Sequence, residues 1–147
     1  MPERLRPAVS AEDAVLEANE SFYRALQTLD LERMDGIWLQ KDWVFCAHPG
    51  WQAITGWEEI RKSWEGIFTN TRQLKIRLRQ VGLQLCGPIA WISCIEEITA
   101  DAGDGLAASL AQATNIYMRV GEEWKLVHHH ASPVPMTPNF PETERVQ

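Results

Sequence analysis

The sequence predicts an α+β fold in which three N-terminal helices cover a strongly bent, mostly antiparallel sheet. Three observations carry this. Apolar residues recur at helical spacing up to about Asn70 and alternate after it. Helices and strands run in separate blocks, the arrangement of a layered α+β domain. One alternating run changes faces part-way, which requires an extra residue and a bend.

The elements follow in order. Ser10 with Asp13 is a cap before Val15, Ala18, Phe22, Ala25, Leu26 and Leu29, the stripe of an amphipathic helix. Asp30 caps a shorter helix carrying Leu31, Met34 and Trp38 and ending near Leu39. Trp43–His48 reads as a strand with Val44, Cys46 and His48 on one face, stopped by Pro49-Gly50. A brief extended piece is expected around Gln52–Ile54. Thr55 and Glu58 form a capping box for a third helix, with Trp57, Ile60, Trp64, Ile67 and Phe68 on its buried side.

Leu74, Ile76 and Leu78 occupy even positions, whereas Val81, Leu83 and Leu85 occupy odd ones. A β-bulge is therefore expected near Arg79–Val81. Cys86-Gly87-Pro88 is a turn. Ile89–Ala100 is apolar on both faces and should be central. Leu106–Val120 follows, and Gly121-Glu122 closes a hairpin into Trp124–His130. The expected organisation is an N-terminal arm over 1–9, one domain over 10–133 and a proline-rich tail over 134–147.

Composition excludes several classes. The 147 residues fit one domain with a real core, being 45% hydrophobic and 23% charged. A net charge of −6 argues against nucleic acid. Arg72, Lys75, Arg77 and Arg79 lie in and beside an alternating run and read as a solvated strand face. No apolar run is long enough for a membrane span. Three cysteines without C-x-x-C spacing give neither a disulfide framework nor a zinc knuckle, and a reducing, cytoplasmic setting is expected.

The order of elements resembles the nuclear transport factor 2 superfamily, whose members build a cone from a bent sheet and covering helices. Four motifs bring the chain close to its SnoaL-like branch: Cys46-Ala47-His48-Pro49-Gly50-Trp51, Gly56 with Trp64, Ala113-Thr114-Asn115, and Trp124-Lys125-Leu126-Val127-His128-His129-His130-Ala131-Ser132. The resemblance covers roughly residues 10–133. It implies a pocket in the cone and a homodimer through the sheet. It implies no single reaction, because the superfamily hosts isomerases, cyclases, dehydratases, binding modules and association domains. The interior Asp that serves as base in its steroid isomerases and polyketide cyclases matches no position of this chain. The closing His-x-His-x-Ser also resembles the association domain of calmodulin-dependent kinase II.

Strict alternation places Trp124, Leu126, His128 and His130 on the inner face of the last strand and His129 outside. His128 and His130 are thus candidate acid–base groups, and so is Glu96 of the central strand, as a raised-pKa base or as the partner of a histidine or arginine. His48, Trp51, Trp64, Asn115, Tyr23 and Trp38 are candidate ligand-binding residues. Each has a plainer reading: histidines and Asn115 satisfying buried backbone groups, tryptophans packing the core, and Glu97 facing in instead or Glu96 at a wet rim. Inward histidines have the donor chemistry of a zinc, iron or copper site, but no supporting pattern accompanies them; no metal and no cofactor is expected. The leading expectation is a small, largely apolar molecule bound in the pocket. The alternatives are acid–base catalysis by the same groups and a dimeric association domain without a ligand.

Overall fold

The computed structural model describes residues 9–136. The chain runs α1 (Ala11–Gln27), α2 (Leu31–Ile37), β1 (Phe45–Ala47), β2 (Ile54–Thr55), α3 (Trp57–Thr69), β3 (Gln73–Cys86), β4 (Ile89–Asp101), β5 (Leu106–Val120) and β6 (Glu123–Val134). The six strands form one mixed sheet in the order β2-β1-β6-β5-β4-β3. β3 to β6 are an antiparallel meander, and β1 joins β6 in parallel.

The helices form where the sequence indicates. The Ser10 hydroxyl accepts from the Asp13 N–H, and Asp30 does the same for Arg33, each satisfying a free donor of the first turn. Val15, Phe22, Tyr23, Ala25 and Leu26 of α1 are buried, as are Ile60, Trp64 and Phe68 of α3. They share one core with Ala90, Ile92 and Cys94 of β4 and Ala113 and Tyr117 of β5.

Some local expectations are corrected. Thr55 does not cap α3; it pairs with Phe45 in the sheet. The cap is Gly56, at φ 95°, with no side-chain capping bond. Its N–H donates to the Val44 carbonyl, so the chain must turn sharply from strand into helix, which suits a residue without Cβ. α2 ends at Ile37 rather than near Leu39, because Trp38 is extended and bridges to Leu126. β6 continues past His130 to Val134. Of the expected arm and tail, residues 1–8 and 137–147 lie outside the described residues.

Two bulges decide which side chains face the core. In β3, Arg79 pairs with Ile95 and Gly82 with Ser93, so Gln80 and Val81 together oppose Cys94. Gln80 adopts the left-handed φ of 54°. This is the expected bulge. The second was not expected. Tyr117 pairs with Leu126, yet Ile116 pairs with His128, leaving Val127 as the extra residue. Leu126 and Val127 are both buried, and every side chain beyond them exchanges faces.

Candidate functional site

The β6 bulge overturns the expected placement of the closing histidines. His129 points into the core and is 2% exposed. His128 and His130 lie on the other face, half-buried and exposed. There His128 stacks on Phe45 with ring centres 4.5 Å apart and planes 6° apart. The inward set is therefore His48, from β1's end, and His129.

His129 joins a buried polar chain. Its Nδ1 lies 2.5 Å from Asn115 Oδ1. Asn115 Nδ2 donates to Asn19 Oδ1 (2.9 Å) and to the Tyr23 hydroxyl (3.0 Å). Tyr23 in turn donates to Glu96 Oε2 at 2.6 Å, and Tyr117 donates to Asn19 Oδ1 at 2.8 Å. These donors fix the histidine's tautomer. Tyr23 gives its proton to Glu96 and so accepts from Asn115, which leaves the Asn115 oxygen facing His129. Nδ1 therefore carries the proton and Nε2 is a bare acceptor. Among the described residues, neither His129 Nε2 nor Glu96 Oε1 has a hydrogen-bond partner.

The position of each group follows from its strand. Asn115 and His129 are cross-strand partners on the inner face of β5 and β6, and Cys46 of β1 is the next partner of His129. Tyr23 and Asn19 lie one turn apart on α1, on its buried stripe. Glu96 sits where the interior opens. Along β4 the inward residues pass from fully buried Ala90, Ile92 and Cys94, through Glu96 at 3% exposure, to half-buried Ile98 and Ala100.

Burial controls the charge of these groups. It raises the Glu96 carboxyl to about 7, with the Tyr23 hydrogen bond pulling the other way. It lowers His129 to about 3, helped by the neighbouring His48, His128 and His130, and lowers His48 to about 4. Both imidazoles are thus neutral near pH 7, while Glu96 is divided between acid and carboxylate. Burial also pushes the Cys46 thiol far up, with Glu96 adding to the shift, which rules it out as a ready nucleophile.

An aromatic wall adjoins the chain. Trp64 meets His48 edge-on at 4.5 Å and lies 6.1 Å from His129; Phe22 packs on both Trp64 and His129. The Trp64 Nε1–H is buried without a partner. His48 Nε2 is 2.8 Å from the Ser63 hydroxyl, which donates to the Ile60 carbonyl, so His48 donates from Nε2. Trp51 is 51% exposed and touches His48 edge-on at 4.7 Å. Among the described residues, surface clefts lie elsewhere, one beside Glu17, Ile37 and Trp124 and another at the start of α3. Neither is lined by Glu96 or His129.

Of the expected site residues, Tyr23, Glu96 and Asn115 come together directly, and His48, Trp51 and Trp64 adjoin them. Trp38 does not; it is core, stacked on Trp57. His128 and His130 do not, for the register reason above. Asn19, Tyr117 and His129 were missed. Asn19 had a signal, a polar residue four positions after Val15 on an apolar stripe.

Helices over one face of a mixed sheet, with polar groups gathered inside, define an α+β domain of the nuclear transport factor 2-like class. The chain belongs to the SnoaL-like domain family, which matches residues 15–137. It is 34% identical to a proposed dehydratase of the NTF2-like family from Streptomyces avermitilis, covering 84% of this chain and 96% of that one at a TM-score of 0.80. It is 28% identical to a proposed calcium/calmodulin-dependent protein kinase type II association domain from Thiobacillus denitrificans, covering 80% and 93% at a TM-score of 0.63. It is 25% identical over 119 residues to the F-box protein SKIP8 of Arabidopsis thaliana. That match covers 81% of this chain, which spans about half (49%) of the relative's length.

Proposed function

We propose that the interior of this domain is a small-molecule site with acid–base chemistry of the dehydratase type. One observation carries the reading: a buried carboxyl and a buried neutral imidazole are joined through Tyr23 and Asn115, and each keeps one atom uncommitted. A core needs no such pair for packing, since buried polar groups add cost unless fully satisfied. The likeness to the Streptomyces protein supports the same reading.

In a β-hydroxy ketone, His129 Nε2 would take the proton beside the carbonyl. The C–H electrons would form the C=C bond as the C–O bond breaks, and the departing hydroxide would take the Glu96 proton and leave as water. The proton on His129 would then return to Glu96, directly or through solvent. The test is incubation with diacetone alcohol and detection of mesityl oxide. Turnover lost in both Glu96→Gln and His129→Gln supports the reading; turnover unchanged in both rules it out.

A second reading, self-association through the outer sheet face, has its own observation. Trp91 is 41% exposed there, beside half-buried Ile116 and Met118. The likeness to an association domain supports it. Trp91→Glu should convert a sedimenting dimer to monomer; a monomeric wild type at micromolar concentration would exclude it.

A further inference from the structure

Among the described residues, no cationic side chain is buried inside this domain. Among the described residues, the buried polar side chains are Asn19, His48, Glu96, Asn115 and His129, with no lysine or arginine. The basic residues of β3 cannot help, because Lys75, Arg77 and Arg79 lie on the outer face, Lys75 exposed and the two arginines paired with Glu97. Both inward histidines are neutral at pH 7. We propose, building on the interior-site reading, that the site selects uncharged hydroxy-carbonyl molecules over the corresponding carboxylates, because it offers an acid and an imidazole but no cation.

A carboxylate brought into this interior loses its hydration and finds no opposite charge. It also meets Glu96, whose ionised form repels it. A ligand hydroxyl oxygen needs only a donor, and protonated Glu96 can supply one from Oε1. The acidic C–H beside a ketone needs only an acceptor, and His129 Nε2 is one. The arrangement thus matches a neutral molecule with a hydroxyl oxygen and a C–H acidified by a ketone, flanked by the aromatic surface of Trp64 and Phe22.

The same geometry gives a pH dependence. The titratable groups acting with Glu96 are Tyr23 of α1, Cys94 of its own strand and Cys46 of β1. Its cross-strand partners are Leu78 of β3 and Ala111 of β5, neither charged. The buried side chains of α3 are Trp57, Ile60, Trp64 and Phe68, and β6 contributes the neutral His129. A neutral ligand that accepts from Glu96 binds its protonated form, so affinity falls as pH rises through the carboxyl's range near 7.

The experiment compares diacetone alcohol with 3-hydroxy-3-methylbutanoate, which differs in carrying a carboxylate in place of the ketone. Binding is followed by titration at pH 6 and pH 8, with the indole N–H resonance of Trp64 reporting on the interior. The ketone should bind at least tenfold more tightly than the acid. Its affinity should drop about tenfold from pH 6 to pH 8, the ratio expected for a carboxyl near 7. Glu96→Gln, whose amide still donates, should bind the ketone without that drop. Carboxylate binding at equal or higher affinity, with the Trp64 resonance moving, overturns the selectivity while leaving the interior site standing. If neither compound moves that resonance, the interior-site reading fails, and the selectivity with it.

Discussion

Replacing Glu96 by Gln should stabilise the protein at high pH and do little at low pH. The side chains are nearly the same shape, and Gln still accepts the Tyr23 hydroxyl through its amide oxygen. What changes is the charge. The carboxyl's folded value of about 7 stands above its ordinary 4.5, chiefly because burial disfavours the anion. A folded value above the unfolded one means that the native state holds the proton more tightly. That contribution is whole below about pH 4.5 and is lost as pH rises through 7. Carried across the whole shift, the loss is about 3 kcal/mol, and between pH 5 and pH 8 it is about 2–3 kcal/mol. Urea unfolding of both proteins at pH 5 and pH 8, in one salt concentration, measures it. Stability of the variant relative to wild type should rise by that amount across the interval. A difference that does not change with pH would show that the fold compensates the Glu96 charge, and the electrostatic account of the interior would be wrong.

Three further outcomes follow from the same interior. The imidazoles of His129 and His48 titrate near 3 and 4 when folded, below their ordinary 6.5, so their contribution is whole above 6.5 and is lost as pH falls toward those values. His129→Gln should therefore recover about 2–3 kcal/mol relative to wild type between pH 7 and pH 4.5, read from urea midpoints. Phe22→Ala should cost about 3–5 kcal/mol in chemical unfolding, since the ring is fully buried against Tyr23, Trp64 and His129. Tyr117→Phe should cost only about 1 kcal/mol, because Asn19 Oδ1 keeps the donor from Asn115; a loss as large as that of Phe22→Ala would mean that the chain depends on Tyr117 far more than its hydrogen bonds indicate.

The fold was legible because its signals are local. Helical spacing in α1 and α3 and alternation in β3 to β6 identify the elements, and the Leu78-to-Val81 face change identifies the first bulge. The second bulge left the same kind of mark. Leu126 and Val127 are adjacent apolar residues in an alternating strand, with Trp124 on one side and Ala131 on the other. Reading through that mark as strict alternation put His128 and His130 inside. The inward placement of Glu96, Tyr23 and Asn115 was legible because each sits on a buried face set by regular structure. Their connection was not legible, since the bonds span 73 to 98 residues between α1 and the sheet. The Thr55 cap failed for another reason. A capping pattern shows what a side chain could do in a helix, and sheet pairing claimed the residue first.

The claim that the interior is a ligand site with His129 as its bare acceptor is tested most directly by the nitrogen-15 spectrum of that imidazole at pH 7. The account predicts a protonated Nδ1 and an unprotonated Nε2 in the free protein, with Nε2 shifting as diacetone alcohol is added. A protonated Nε2 in the free protein, or an Nε2 signal that stays fixed at every ligand concentration, would contradict it.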